Sequence, residues 1–232
     1  MTSLSKNARI AGLLYIVASV VGILRLGYIP KTLFVHGNAA LTASNIAAHE
    51  SLFRLGFVSE LLGGVLWLFV PLAFYQLLKG VDQGVAVVMV ILGSLMQVPI
   101  FFVNMVTDAA ALAFARGADL LSVFDKPQRE AFVRLFLNLH HQLDLANMIF
   151  WGLWLLPLGL LVYRSRFLPR FLGVWLMVAC FAWSALSVTG LVFPAYEDTV
   201  YTITQPVVLG EMATALWLVI LGAKGRQVAP AP

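Results

Sequence analysis

The sequence predicts an all-α membrane protein, a six-helix transmembrane bundle with short amphipathic helical extensions on the outer face. Hydrophobic residues make up 61% of the 232 residues and charged residues only 11%, whereas charged residues reach about 25% in soluble globular domains. The mean hydropathy is +0.91. Apolar windows of about 20 residues, long enough to cross a hydrocarbon core of about 30 Å, recur along the chain. We therefore expect a single six-span integral membrane domain over residues 1–232.

The first apolar window follows Lys6 and Arg9, as the apolar segment of a signal peptide would. No small-x-small cleavage site precedes Arg25, so we expect the window to be retained as a helix. Five further windows of similar length follow it. The predicted spans are Ala8–Tyr28, Leu52–Leu78, Gly84–Ala113, Leu139–Tyr163, Phe167–Phe193 and Ile203–Ala223.

The fourth span is predicted to begin before the membrane does. Asp125 followed by Gln128 is typical of a helix N-cap with its capping-box partner, so one helix could run from there to Tyr163 unless it breaks near Asn138. The segment 42–78 could likewise be one continuous helix or be broken into two. We expect a small helical cap on the outer face whose apolar side chains pack against the lipid surface or the spans: Phe132, Leu135 and Phe136.

The distribution of basic residues predicts the orientation. An even number of spans places both termini on one side of the membrane, and most of the basic residues of the short segments fall on that side. The positive-inside rule therefore places the N- and C-termini in the cytoplasm. These residues are Lys6, Arg9, Lys79, Arg164, Arg166, Arg170, Lys224 and Arg226.

Several function classes find no support in the sequence. The basic residues are scattered over short loops rather than gathered in one stripe, so we expect no nucleic-acid partner. The single cysteine, Cys180, excludes an intrachain disulfide and a multi-thiolate metal site. The zinc-protease, nucleophile-elbow, phosphate-loop and dinucleotide signatures are missing. The residues leave enzymatic activity open and favour a non-enzymatic role.

Four carboxylates lie on four different spans and, in the predicted topology, in the same outer half of the membrane: Glu60, Asp108, Asp144 and Glu211. An ionised acid at the centre of a spanning helix costs about 2.5–3.5 kcal/mol on insertion scales, so such residues usually mark functional sites. His140 and Asp144 share a helix face because they are four residues apart. The candidate ligand-binding residues are Arg25, Glu60, Asn104, Asp108, His140, Asp144 and Glu211.

Three interpretations follow from this set. The leading one is an outward-facing intramembrane polar pocket that binds a small ligand, a lipid headgroup or a cation. The second is a metal-assisted membrane hydrolase acting on a lipid, with His140, Asp144 and Glu60 as metal ligands and Asp108 as the base. The third is a structural or partner-binding subunit whose acids pair with arginines, such as Arg25 with Glu211.

The expected partners are membrane lipid and a small-molecule or lipid ligand. The sequence identifies no cofactor, and a divalent metal ion is possible at the histidine and the carboxylates.

Several stretches of the sequence resemble the bacterial integral membrane family known as domain of unknown function 4386. They are Ala8 to Gly12, the span with Glu60, Phe150 to Leu153, Gly159 to Ser165, Leu168 to Arg170, Leu172-Gly173, Pro206, Glu211-Met212, Ala215 and Trp217-Leu218. In that family a His-Asp pair commonly opens the fourth span. Here His140 occupies the matching His position, and His141 stands where the family has the Asp. Leu143 stands where a Gly is usual, and Trp154 replaces a second His. The resemblance implies a six-span bundle in the bacterial cytoplasmic (inner) membrane and no established activity.

Overall fold

A computed structural model describes residues 3–223 of the chain, and all the regular secondary structure in that range is helical. The α-helices are α1 (Ser3–Ile23), α2 (Ile29–Leu33), α3 (Ala39–Ala48), α4 (Glu50–Leu78), α5 (Gln83–Val90), α6 (Val98–Arg116), α7 (Lys126–Leu153), α8 (Leu155–Arg164), α9 (Arg170–Val192) and α10 (Glu197–Ile220). The π-helical segments Leu24–Tyr28 and Ile91–Leu95 join α1 to α2 and lead from α5 towards α6.

Six helical segments within residues 3–223 are long and apolar enough to cross a membrane, as the sequence predicted. Each contains most of one predicted span, and several begin or end beyond it. The chain is therefore a multi-pass, all-α membrane protein. The segments are Ser3–Leu33, Glu50–Leu78, Gln83–Arg116, Lys126–Arg164, Arg170–Val192 and Pro194–Ile220.

The fourth span begins at a capping box. The backbone N–H of Gln128 donates to Asp125 Oδ1 at 2.8 Å, and the backbone N–H of Asp125 donates to Gln128 Oε1 at 2.9 Å. From this cap α7 runs through Asn138 without a break. The helix is interrupted only at Trp154, because Pro157 has no N–H to donate to the carbonyl of Leu153.

The segment 42–78, for which the sequence also left open a continuous or a broken helix, is broken. It breaks at His49, whose backbone (φ −115°, ψ 41°) leaves the helical region between α3 and α4. The side chain of Asn38 caps α3 by accepting the N–H of Leu41 at 2.9 Å. Asn45 Nδ2 donates to the carbonyl oxygen of Leu33 at 3.1 Å, which ties α3 to the end of the first span.

The chain groups into two compact units. The first unit comprises Met1–Val17, Leu66–Gln97 and Leu145–Pro232, and the second comprises Ala18–Val65 and Val98–Asp144. The single domain over the whole chain stays a prediction. Lys224 and Arg226, which contributed to the predicted orientation, lie outside the described residues.

Close helix contacts at glycines hold the first unit together. A Cβ on Gly173 of α9 would lie 2.6 Å from the carbonyl oxygen of Gly159 on α8, and a Cβ on Gly210 of α10 would lie 2.4 Å from the ring of Trp175. Spanning helices use small residues at such positions because they let backbones approach closely. Four aromatic rings pack edge to face in the same unit: Tyr15, Trp67, Phe74 and Trp154.

The second unit has an apolar core formed by α2, α3, α4, α6 and α7. Its buried members are Ile29, Leu33, Ala43, Ile46, Phe53, Leu112 and Val133. Beside it, Phe132 and Phe136 of the predicted cap stack on Phe114 of the third span, with ring centroids 4.7 and 5.7 Å apart. Leu135 is 46% exposed and lines an open, apolar groove of about 330 Å³ with Phe124, Gln128, Ala131 and Phe132.

Candidate functional site

The second unit contains a buried ion pair between the first and third spans. Arg25 lies in the π-helical turn Leu24–Tyr28, and Asp108 lies on α6. Arg25 Nε donates to Asp108 Oδ2 and Arg25 Nη2 donates to Asp108 Oδ1, both at 2.6 Å. This bidentate geometry is the strongest way for an arginine to hold a carboxylate. Arg25 thus has Asp108 as its ion-pair partner, where the sequence had suggested Glu211.

His140 on α7 lies between two carboxylates. Its Nδ1 is 3.2 Å from Asp108 Oδ1, and its Nε2 is 3.4 Å from Asp144 Oδ2. Asp144 is held in turn by Asn104, whose Nδ2 donates to Asp144 Oδ1 at 2.7 Å. Thr107 Oγ1 lies 3.4 Å from His140 Nδ1. The four-residue spacing of His140 and Asp144 therefore does place them together, as predicted.

Glu60 on α4 completes the cluster. Its side chain is 8% exposed, and its Oε2 atom is buried without a hydrogen-bond partner. Glu60, Asp108 and His140 each offer one ligand atom, and these atoms lie within 4.8 Å of one another. Because buried polar atoms are nearly always paired, an unpaired carboxylate oxygen beside two further donor groups is typical of a site that takes an additional ligand.

The cluster combines three carboxylates with one guanidinium and one imidazole. With all three carboxylates ionised, the formal excess is two negative charges when the imidazole of His140 is neutral and one when it is protonated. Its members are all at most 9% exposed. Uncompensated charge is expensive in a buried, apolar setting, so this arrangement favours the uptake of a cation or of protons.

Six of the seven predicted site residues lie in the second unit: Arg25, Glu60, Asn104, Asp108, His140 and Asp144. The group of possible metal ligands shares Glu60 and His140 with the predicted one but contains Asp108 instead of Asp144. Asp144 lies on the other side of the imidazole, 3.4 Å from Nε2, and makes no hydrogen bond to that nitrogen. Thr107 was not predicted, although it follows Asn104 by one helical turn on the same face.

The seventh predicted residue, Glu211, belongs to the first unit. Its Oε2 accepts a hydrogen bond from the hydroxyl of Tyr15, and its Oε1 accepts one from Nε1 of Trp183. Neither partner was predicted. Tyr15 and Trp183 lie within apolar sequence, where a polar contact of an aromatic side chain leaves no pattern.

A family model described as Domain of unknown function (DUF4386) matches residues 10–222. The chain belongs to this family. The DUF4386 match covers part or all of every span and contains all seven predicted site residues. It confirms the resemblance inferred from the sequence.

One relative, an uncharacterized protein of the archaeon Archaeoglobus fulgidus, is 36% identical over 90 residues. This similarity covers 39% of the chain and 52% of the relative, so the chain spans about half the length of the curated relative it matches. No solved structure matches the chain. The description of the DUF4386 family assigns no activity to its members.

Proposed function

We propose that this DUF4386 protein binds one divalent cation at the buried cluster of Glu60, Asp108 and His140. Of the three ligand classes that the sequence allowed, a small ligand, a lipid headgroup and a cation, the cation has the best support. One observation carries the proposal: three donor atoms from three different spans lie within 4.8 Å of one another, and a carboxylate oxygen of Glu60 has no hydrogen-bond partner.

The charge of the cluster fits a divalent ion. With a neutral imidazole, the two positive charges of such an ion would compensate the excess left by Glu60, Asp108, Asp144 and Arg25. The donor set of one nitrogen and two carboxylate oxygens suits zinc and also manganese or iron. Magnesium is less suited, because it prefers ligands that are all oxygen.

The surroundings of the donors also support a metal. Metal-bound histidines usually turn their second ring nitrogen towards a carboxylate, which fixes the tautomer. In this site Asp144 lies at Nε2 of His140, so Nδ1, on the side of Asp108, would be the ligand atom. Arg25 holds both oxygens of Asp108 and so fixes the direction in which that carboxylate faces.

The basic residues of the short loops indicate in which membrane the protein lies and on which side its termini lie. We place the protein in the bacterial cytoplasmic membrane with both termini in the cytoplasm, because basic residues gather on the terminus side, above all in the loop with Arg164, Arg166 and Arg170. The spans then carry the cluster in the half of the membrane that faces away from the cytoplasm. Membrane lipid and a ligand arriving from that side are the proposed partners.

The test is metal binding by the purified protein in detergent after treatment with a chelator. We expect wild type to take up about one equivalent of Zn²⁺ or Mn²⁺, measured by calorimetry and by elemental analysis. His140→Asn should abolish this uptake, and its neighbour His141→Asn should retain it. Glu60→Gln should weaken binding, while Glu50→Gln, at the first residue of the same helix and outside the cluster, should not.

Two results would contradict the proposal. The first is a wild type that takes up neither metal in a stoichiometric amount, and the second is a His140→Asn variant that binds metal as tightly as wild type. The first result would favour the structural interpretation, in which the acids of the cluster serve only to pair with Arg25 and His140.

A metal-assisted lipid hydrolase is the second candidate. It is favoured by the number of protein donors, since catalytic zinc sites combine three protein ligands with a water molecule. Asp108, predicted as the base, is instead one of the three donors and is bonded to Arg25. Hydrolysis of a phospholipid panel by metal-loaded wild type, and its loss in His140→Asn, would support this activity; a metal-loaded protein without turnover would exclude it for that panel.

A further inference from the structure

Glu211 is an intramembrane acid that the proposed cation site does not use. It lies on α10, and between Tyr201 and Ile220 it is the only charged residue of the sequence. Its side chain is partly buried in the first unit. Because an ionised carboxylate within a span is costly, Glu211 requires a partner that offsets its charge or a proton that removes it.

The partners of Glu211 are neutral. Its two oxygens accept hydrogen bonds from Tyr15 on α1 and Trp183 on α9. No ion pair joins Glu211 to a basic side chain within residues 3–223. This contrasts with Asp108, which has a bidentate arginine.

The two groups that donate to Glu211 differ in their hydrogen-bonding capacity. An indole N–H can only donate, so Oε1 of Glu211 must accept from Trp183 in every protonation state. A phenol hydroxyl can donate or accept. When Glu211 is ionised, Tyr15 donates to Oε2; when Glu211 is protonated at Oε2, the new O–H can donate to the oxygen of Tyr15. One proton therefore enters without the loss of either contact.

Packing holds both donors in place. Tyr15 is 4% exposed, and its ring meets those of Trp67, Phe74 and Trp154 with centroids 5.4, 6.1 and 5.8 Å away. Trp183 packs edge to face on Trp151 at 5.3 Å. Neither donor can leave Glu211 without disturbing an aromatic cluster, so the carboxyl group is held in one geometry.

Other titratable or charged groups occur on the helices that contact α10 and on α10 itself. Among the titratable groups that the structure describes on these helices, Tyr15 is the one that is hydrogen-bonded to Glu211. The others are Lys6 and Arg9 on α1, Arg170 and Cys180 on α9, Tyr196 in the connecting turn, and Glu197, Asp198 and Tyr201 on α10.

We propose that Glu211, Tyr15 and Trp183 form an intramembrane proton-binding site, with Oε2 of Glu211 as the atom that takes the proton. The site is separate from the proposed cation cluster in its residues and in its ligand. Intramembrane carboxylates of this kind mark proton relays in pumps and transporters. A DUF4386 protein with both sites would bind a cation and a proton on different residues.

The test is infrared spectroscopy of the purified protein during a pH titration, in H₂O and in D₂O. We expect a protonated-carboxyl band that shifts in D₂O and disappears in a single-proton step as the pH rises. Glu211→Gln should remove this band from the spectrum and leave the bands of the other carboxyl groups. Asp198→Asn, an exposed acid on the same helix, should keep it. Tyr15→Phe keeps the ring but removes the hydroxyl, so it should move the band to higher frequency.

Identical carboxyl bands in wild type and Glu211→Gln would overturn the proposal, as would a wild type in which Glu211 is ionised over the whole titration. If Glu211→Gln does not fold, an unshifted band in Tyr15→Phe would overturn it. Uptake of Zn²⁺ by Glu211→Gln distinguishes the two sites, because we expect it to equal that of wild type whether or not the proton site exists.

Discussion

The ion pair between Arg25 and Asp108 offers the sharpest quantitative test of the structure. Arg25→Met keeps an unbranched apolar side chain but removes the charge and both hydrogen bonds to Asp108. The residues are 5% and 0% exposed, so water cannot replace the lost partner. The chain also offers a matched control: Arg54 pairs with Glu50 at the same Nε to oxygen distance of 2.6 Å, but the two side chains are 51% and 30% exposed.

The expected magnitudes differ several-fold. Removing one partner of a buried ion pair leaves the other charge uncompensated and typically costs about 3–5 kcal/mol of stability. An exposed pair contributes about 0.2–1 kcal/mol, because water and salt screen both charges. Arg25→Met should therefore lower the free energy of unfolding by several times as much as Arg54→Met. Asp108→Asn added to Arg25→Met should restore part of the loss, since the carboxylate that Arg25 had paired with is then replaced by a neutral amide.

The assay is reversible unfolding in mixed detergent micelles with a chelator present, so that metal binding does not contribute. A double-mutant cycle over Arg25 and Asp108 isolates the pairwise energy. The expected contribution of the buried ion pair would be refuted if Arg25→Met lowered the free energy of unfolding no more than Arg54→Met does. It would also be refuted if Asp108→Asn gave no recovery in the double variant, because the penalty would then not come from an unpaired acid.

Two further substitutions test the fold. Asp125→Ala removes the capping box of α7 and should lower the free energy of unfolding by about 0.5–2 kcal/mol in the same assay. Asp119→Ala, which removes an exposed acid nearby, should be close to neutral. Equal effects of the two substitutions would contradict the cap. Gly173→Ala should cost about 1–3 kcal/mol because its Cβ would press on the carbonyl oxygen of Gly159, and Gly63→Ala, with nothing within 4 Å, should be tolerated. A stable Gly173→Ala protein would show that the two helices are not in close contact.

The spans were predictable because hydrocarbon thickness fixes the length of an apolar run, but their ends were not. A helix can continue past the apolar run wherever its backbone groups stay paired, as at Lys126 after its cap. His49 breaks the helix and Asn138 does not, although neither residue type forces the outcome. The interruption at Trp154 follows from Pro157, a signal that the sequence does contain.

The candidate site was predictable only within each helix. The spacing of His140 and Asp144 fixes their common face, but the choice of Asp108 as the partner of Arg25 depends on how each helix is rotated about its own axis. No periodicity encodes that rotation between helices. For the same reason the sequence did not separate Glu211 from the other acids, and it gave no sign that Tyr15 would bond to it.

The wide turn that carries Arg25 has a consequence for variation in chain length. A π-helical turn holds roughly one residue more than an α-helical turn of the same height, and each α-helical residue turns the chain by about 100°. Deleting a single residue between Leu24 and Tyr28 would therefore convert the wide turn into an ordinary α-helical turn, with the residues before and after it kept on their present faces. Natural sequences that lose one position at this point would change the residue that the turn presents to Asp108 and keep the packing faces of the helices on either side.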